Sequence, residues 1–395
     1  MRILRFLLFF LPIVFMAVKP AVNHATKGSL PDFPPFAEPA GVPLPDENIE
    51  KIHILVGDLL KTHRFNGSLL IGYRDHVLFE TARGLVNLKS KDSLSITTPF
   101  QLASVSKSFT ALAVMILVEK GFLKLDDKIS LHIHEFPYRE ITIRQLLNHT
   151  SGIPNYMNLA AHYWPRTKPM SNEDMLKLLV KHKLPLNFKP GSRFRYSNTG
   201  YAVLALLTER SSGTSFDCFL KENIFDPLQM KHTFVYDRRH FDSIAIPIGH
   251  RSSHRNAAVF DYDPVDEVVG DKSIFSTPGD LFLYNKAWTT DILVSKTMRE
   301  LAFTKGKLKN SQDINYGFGW RFKEVEGRKA IYHNGLWHGF TATYTRLPEN
   351  ELTIIILNNT NAHVSTLAWQ IVKKIDPLLP EPLMLASEIQ VESED

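Results

Sequence analysis

The strongest alternation of apolar and polar positions lies near the two ends of the chain. Ser68-Leu69-Leu70-Ile71-Gly72-Tyr73 and Val77-Leu78-Phe79-Glu80-Thr81-Ala82 read as strands joined by a turn at Arg74-Asp75-His76. Leu352-Thr353-Ile354-Ile355-Ile356-Leu357 is apolar and β-branched, which predicts a buried strand. Phe340-Thr341-Ala342-Thr343-Tyr344-Thr345 is its expected partner, with a turn at Pro348-Glu349-Asn350. Between these ends the spacing lengthens to that of helices, at Ser171 to Lys183, Thr199 to Ser211 and Phe216 to Ile224, and a last helix is expected from Ser365 to Ile375. Ala111 to Lys120 is apolar on nearly all sides and closes at Gly121, so this helix should run through the core. Strands at both ends with helices between them predict an α/β (α+β) fold. One antiparallel sheet built from the two ends is flanked by helices, and an inserted all-helical subdomain spans about 104–283.

The extreme ends differ in kind. Arg2 and Arg5 precede Phe6 to Val18, an apolar stretch broken by Pro12. A basic start and a short apolar block form the pattern of an export signal. The block is short for a bilayer span, which takes roughly 20 residues. Residues 1–25 are therefore expected to be a signal peptide or an uncleaved N-terminal anchor, with Ala17, Ala21 and Ala25 as candidate cleavage positions. That makes the protein exported, periplasmic or extracellular, with a possible membrane tether. Residues 26–46 are proline-rich (Pro31, Pro34, Pro35, Pro39, Pro43, Pro45) and read as a spacer. The folded domain is expected over 47–375, followed by a flexible acidic tail at 376–395.

Composition narrows the chemistry. The 395 residues, 44% of them hydrophobic, are enough for a large core. A net charge of +5 over this length, without basic runs interleaved with aromatics, argues against a nucleic-acid partner. The single cysteine, Cys218, excludes an intramolecular disulfide and is expected to be a small buried residue. Among 16 histidines, His132 and His134 sit close together, but no His-Glu-x-x-His or clustered carboxylates accompany them, so neither a metal nor a cofactor is expected. No Gly-x-Ser-x-Gly is present, which removes the α/β-hydrolase nucleophile elbow.

Three segments carry candidate chemistry. In Ala103-Ser104-Val105-Ser106-Lys107, the i, i+3 spacing puts Ser104 and Lys107 on one helical face. A serine at a helix start also has an ordinary explanation as an N-cap. A lysine near the start of a buried helix is desolvated and feels a positive dipole. Both lower its pKa, so that a neutral amine can take the serine proton. In Arg195-Tyr196-Ser197-Asn198-Thr199-Gly200, a phenol and a carboxamide fall on one side of a segment bounded by Pro190-Gly191. Tyr156-Met157-Asn158 is a rival of the same form, outside such a fixed loop. In Tyr332-His333-Asn334-Gly335-Leu336, a histidine and a glycine precede a strand, and glycine permits close approach at a sheet edge.

In this order the three segments resemble the serine β-lactamase, penicillin-binding protein and D-alanyl-D-alanine carboxypeptidase superfamily, with class C β-lactamases, related DD-peptidases and family VIII esterases nearest. The resemblance covers roughly residues 48 to 375. It extends to Leu146-Leu147-Asn148-His149-Thr150-Ser151-Gly152-Ile153, Ser276-Thr277-Pro278-Gly279-Asp280-Leu281 and Tyr316-Gly317-Phe318-Gly319-Trp320. It implies a β-lactamase/DD-peptidase-like fold with Ser104 as the acylated nucleophile and Lys107 as its base, sharing the proton with Tyr196. It implies that Asn198 holds the substrate amide, and that His333, Asn334 and Gly335 bind substrate where Lys-Thr-Gly is usual. The backbone N–H groups of Ser104 and Leu336 would form the oxyanion hole. Histidine in place of lysine weakens efficient β-lactam hydrolysis, since neutral imidazole holds a carboxylate less well. Asp271-Lys272-Ser273-Ile274-Phe275 stands where a glycine-rich loop is usual, so that wall should differ. The expected partner is a small-molecule or peptide substrate: a D-alanyl-D-alanine peptide, an ester or a β-lactam. A slow penicillin- or peptide-binding sensor or scaffold of the same fold is the alternative, and the oligomeric state is left open.

Overall fold

The structure is a computed structural model and describes residues 44–89, 92–236, 246–251, 258–260 and 263–380. The export segment, nearly all of the proline-rich spacer and residues 381–395 of the acidic tail lie outside the described residues.

The N-terminal hairpin forms as expected. β1 (Gly67–Tyr73) and β2 (His76–Arg83) pair antiparallel, and Arg74 takes a φ of 56° in the turn between them. Three short strands, β3 (Phe100–Gln101), β4 (Phe234–Val235) and β5 (Ile274–Ser276), make a small second sheet, and β6 (Gly306–Lys307) pairs with β7 (Asp313–Ile314). β8 (Arg321–Val325), β9 (Arg328–Trp337), β10 (Phe340–Leu347) and β11 (Leu352–Asn358) complete the six-stranded main sheet, ordered β2-β1-β11-β10-β9-β8. Its pairings are antiparallel throughout. Within it β1 meets β11, with Leu70 opposite Ile355, so the two ends of the domain are joined in one sheet.

The main helices are α1 (Asp46–Thr62), α2 (Ser106–Glu119), α3 (Ile143–Leu147), α4 (Tyr156–Tyr163), α5 (Asn172–His182), α6 (Asn198–Ser212), α7 (Phe216–Leu220), α8 (Pro278–Tyr284) and α9 (Val364–Ile375), with two further short ones at Lys286–Thr289 and Lys296–Ala302. Local chemistry explains several starts. Ser171 and Asp174 form a capping box on α5, and Ser197 accepts from the Gly200 amide to begin α6. The expected helix from Phe216 to Ile224 is α-helical to Leu220 and then widens over Lys221–Phe225. Cys218 is exposed, contrary to the expectation of burial. Phe216, Phe219 and Leu220 take the inner face at i, i+3 and i+4, which turns Asp217 and Cys218 outward.

β11 reads as a continuous apolar run because both of its faces are covered. Ile354 and Ile356 pack with Ile52, Val56 and Leu60 of α1 and with Leu367 and Ile371 of α9. Ile355 and Leu357 belong to the opposite core, which α2 crosses. Every residue of α2 from Ser106 to Leu117 is buried, which accounts for its lack of a polar face. Beyond α9, Asp376–Leu378 form a short turn, and Asn48 Nδ2 donates to the Leu378 carbonyl at 2.9 Å.

Ile355 is fully buried, whereas Ile54 is 57% exposed. Ile355→Ala should lower the unfolding free energy by about 2–5 kcal/mol, and Ile54→Ala should change it by no more than about 0.5 kcal/mol. Urea titration of both variants checks the assignment of the core.

Candidate active site

Ser104 sits in a single 3-10 turn, Ala103–Val105, that runs into α2. Ala103 is fully buried with a φ of 47°, a left-handed conformation that costs a side-chain-bearing residue about 1–2 kcal/mol. Neither this turn nor α2 has a side-chain cap, so capping does not explain Ser104. One turn on, Lys107 is fully buried, and its Nζ lies 3.1 Å from Ser104 Oγ and 2.6 Å from the Asp271 carbonyl oxygen. Burial pushes the Lys107 pKa down to about 7; the Asp271 carboxylate opposes this and the Arg321 guanidinium adds to it.

The segment before α6 brings Tyr196 and Asn198 to the same place. Lys107 Nζ lies 4.9 Å from the Tyr196 ring centroid, and the Arg321 guanidinium lies 5.1 Å from it. Burial raises the Tyr196 pKa, partly offset by the neighbouring Ser104 hydroxyl and by Arg321. The Tyr196 hydroxyl and Asn198 Oδ1 are nevertheless buried without a well-formed hydrogen bond among the described residues. Asn198 Nδ2 lies 3.8 Å from Met157 Sδ. The rival tyrosine is spent elsewhere: the Tyr156 hydroxyl donates to Asp271 Oδ2 at 3.1 Å and accepts from Lys272 Nζ at 2.8 Å.

β9 supplies the third side. β8 pairs with it as far as Tyr332, opposite Arg321, so among the described residues the run from His333 to Trp337 has a strand partner only in β10. A Cβ on Gly335 would stand 2.2 Å from the Leu102 carbonyl and 3.1 Å from Ala103 Cβ, so only glycine lets β9 press against the turn that carries Ser104. Leu336 follows on this edge with its side chain 65% exposed, and Asn334 Oδ1 is buried without a partner among the described residues.

His333 brings hydrogen-bonding nitrogens to the site and no positive charge. Its Nδ1 lies 2.8 Å from the Asn334 carbonyl, which can only accept, so Nδ1 carries the proton. Its Nε2 therefore accepts from the Tyr316 hydroxyl at 3.1 Å. Burial, Lys107 and Arg321 drive its pKa well below the ordinary histidine value, so the ring is neutral.

Three residues at the site went unassigned in the sequence. Arg321 brings the positive charge, with its guanidinium over the rings of Tyr196 and Tyr316, the latter at 5.6 Å. His149 accepts from the Ser197 amide at 3.1 Å and packs its ring 4.3 Å from that of Tyr196, which fixes the Tyr196 segment. Tyr316 orients His333. The two phrases that hold His149 and Tyr316 are recognisable in the sequence, but nothing local distinguishes Arg321 from any other basic strand residue.

Comparison with known proteins identifies the family. The family profile named Beta-lactamase matches residues 53–373. Penicillin-binding protein 4* of Bacillus subtilis (strain 168) is 34% identical over 326 residues, which cover 78% of this chain and 71% of that protein. FmtA from Staphylococcus aureus superposes with a TM-score of 0.73 at 19% identity, covering 87% of this chain and 93% of that one. The D-amino acid amidase from Ochrobactrum anthropi SV3 superposes with a TM-score of 0.70 at 20% identity, covering 84% and 99%. At such identities the two solved structures speak for the fold alone. With the profile spanning most of the chain and the Bacillus relative at this level of identity, the chain belongs to the β-lactamase family.

Proposed function

We propose that the protein is a serine hydrolase that cleaves amide or ester bonds through an acyl-enzyme on Ser104. The observation that carries this reading is the buried Lys107 amine, 3.1 Å from Ser104 Oγ with its pKa brought to about 7. A serine hydroxyl is a weak nucleophile unless a neighbouring base takes its proton. Neutral Lys107 takes that proton as Oγ bonds to the substrate carbonyl carbon. The Ser104 and Leu336 amides hold the oxyanion. Tyr196 passes the proton to the leaving amine or alkoxide as its bond to carbon breaks. Water then attacks the acyl-serine, giving its proton back through the same groups, and releases the acid.

Arg321 favours substrates that carry a carboxylate near the scissile bond. D-alanyl-D-alanine peptides and β-lactams both do, and the name of the Bacillus relative, a penicillin-binding protein, falls in the same chemical region. An apolar ester lacks that carboxylate and relies on the Ser104 side of the site.

Ser104→Ala should abolish turnover of a chromogenic ester. Intact-mass spectrometry of the wild-type protein with penicillin should find an adduct on Ser104 that clears with time. An adduct that never clears would mark a sensor rather than an enzyme.

The proton-accepting form of Lys107 is the neutral amine. Activity should therefore rise with pH through a limb near 7 and be lost as the amine protonates below it, as a kcat/KM profile for ester hydrolysis would read.

Arg321→Gln should raise KM for a carboxylate-bearing peptide at least ~10-fold, the worth of a lost charge-assisted hydrogen bond. The same variant should leave KM for a neutral ester within about 3-fold. Equal losses on both substrates would remove Arg321 from carboxylate recognition.

A further inference from the structure

A buried ion pair stands directly behind Lys107, and the proposed reaction makes no use of it. Asp271 is fully buried and Lys272 is 2% exposed. Lys272 Nζ lies 3.2 Å from Asp271 Oδ1 and donates to the Tyr156 hydroxyl at 2.8 Å and to the Val268 carbonyl at 3.3 Å. The Tyr156 hydroxyl in turn donates to Asp271 Oδ2 at 3.1 Å. The main-chain carbonyl of the same Asp271 receives Lys107 Nζ at 2.6 Å. Ser273 Oγ donates to the Val268 carbonyl at 2.8 Å, closing the loop on itself.

Desolvating two charges is costly, and well-packed apolar side chains commonly fill such space with no loss of stability. A buried pair placed against the amine of a proposed general base therefore calls for a reason beyond packing. We propose that Asp271, Lys272 and Tyr156 form a positioning device for Lys107: the Asp271 carbonyl anchors its amine, and the balance of the Asp271 carboxylate against the Lys272 ammonium sets how much of that amine is neutral. The inference rests on Lys107 acting as the base of Ser104.

The groups facing Lys107 come from several elements. They are Ser104, the rings of Tyr196 and Tyr201, Arg321 on β8, His333 on β9, His149 after α3, and Asp271. Asp271 favours the charged amine, while Arg321 opposes it. Asp263 and Asp266 act on the Tyr156 side of the cluster. Lys272 Nζ also lies 5.1 Å from the Trp337 ring centroid, and Trp337 Nε1 donates to Asp266 Oδ1 at 2.7 Å, which ties the cluster to the end of β9.

The test uses the full chain carrying Lys272→Met, Asp271→Asn or both. Two readouts apply: the acid limb of ester hydrolysis, and the titration of Lys107 followed by NMR of 13Cε-labelled lysine, assigned by its loss in Lys107→Arg. Lys272→Met leaves the carboxylate unbalanced and should move both midpoints up by about one pH unit. Asp271→Asn leaves the ammonium unbalanced and should move them down by a similar amount. The double variant leaves no unpaired buried charge and should fall between the two, on the low side of wild type. It carries the test alone if the single variants fail to fold. Midpoints equal to wild type in every folded variant, even with reduced activity, would overturn the proposal and leave the cluster as scaffold. Shifted NMR midpoints in a protein whose turnover survives Ser104→Ala would uphold the cluster and overturn the serine-hydrolase reading.

Discussion

An ammonium taken out of water beside a hydroxyl is the constraint to which the rest of the site answers. Lys107 is fully buried 3.1 Å from Ser104 Oγ, and burial alone accounts for most of the change in its basicity. Such a group is tolerated in a core only when its hydrogens have acceptors and its charge can be shed. The Asp271 carbonyl supplies an acceptor at 2.6 Å, and a pKa near 7 lets the amine go neutral under ordinary conditions. The apolar helix α2 keeps water away from below, while the strained turn at Ala103 holds Ser104 at its mouth.

Positive charge at the site is divided in an unexpected way. His333 occupies the position that the resemblance assigns to a charged lysine, yet it is neutral and both of its ring nitrogens are engaged within the protein. The charge sits instead at the start of β8, where Arg321 spreads its guanidinium over Tyr196 and Tyr316. The arrangement follows from distance. A second cation as deeply buried beside Lys107 and without a carboxylate partner would cost more than a neutral ring, whereas the partly buried Arg321 keeps part of its hydration. Arg321 also lowers the pKa of Lys107, so the guanidinium that brings positive charge to the site favours the neutral amine.

Much of the fold was legible because its evidence is local. The hairpin at Arg74-Asp75, the strand Leu352 to Leu357 with its partner, and helices α5, α6 and α9 each announce themselves by period and turn chemistry within a dozen residues. Errors arose where a local pattern has two outcomes. Cys218 reads as a small core residue in isolation, but its position on α7 falls opposite the face taken by Phe216, Phe219 and Leu220. Gly335 could be recognised as a point of close approach in β9, but not that the approach is to Leu102 and Ala103, which lie more than two hundred positions away.

By itself the sequence determined the chemistry available: a serine and a lysine one helical turn apart, a Tyr-x-Asn loop, and a histidine and a glycine two positions apart. Residue type and short spacing are properties of the chain before it folds. Tertiary structure alone decided how those groups behave. It tied Tyr156 into an ion-pair cluster, made His333 neutral, brought Arg321 over the Tyr196 phenol and set that ion pair behind Lys107. Each of these outcomes is a matter of electrostatics in a desolvated space, and desolvation exists only once distant segments have closed around a point.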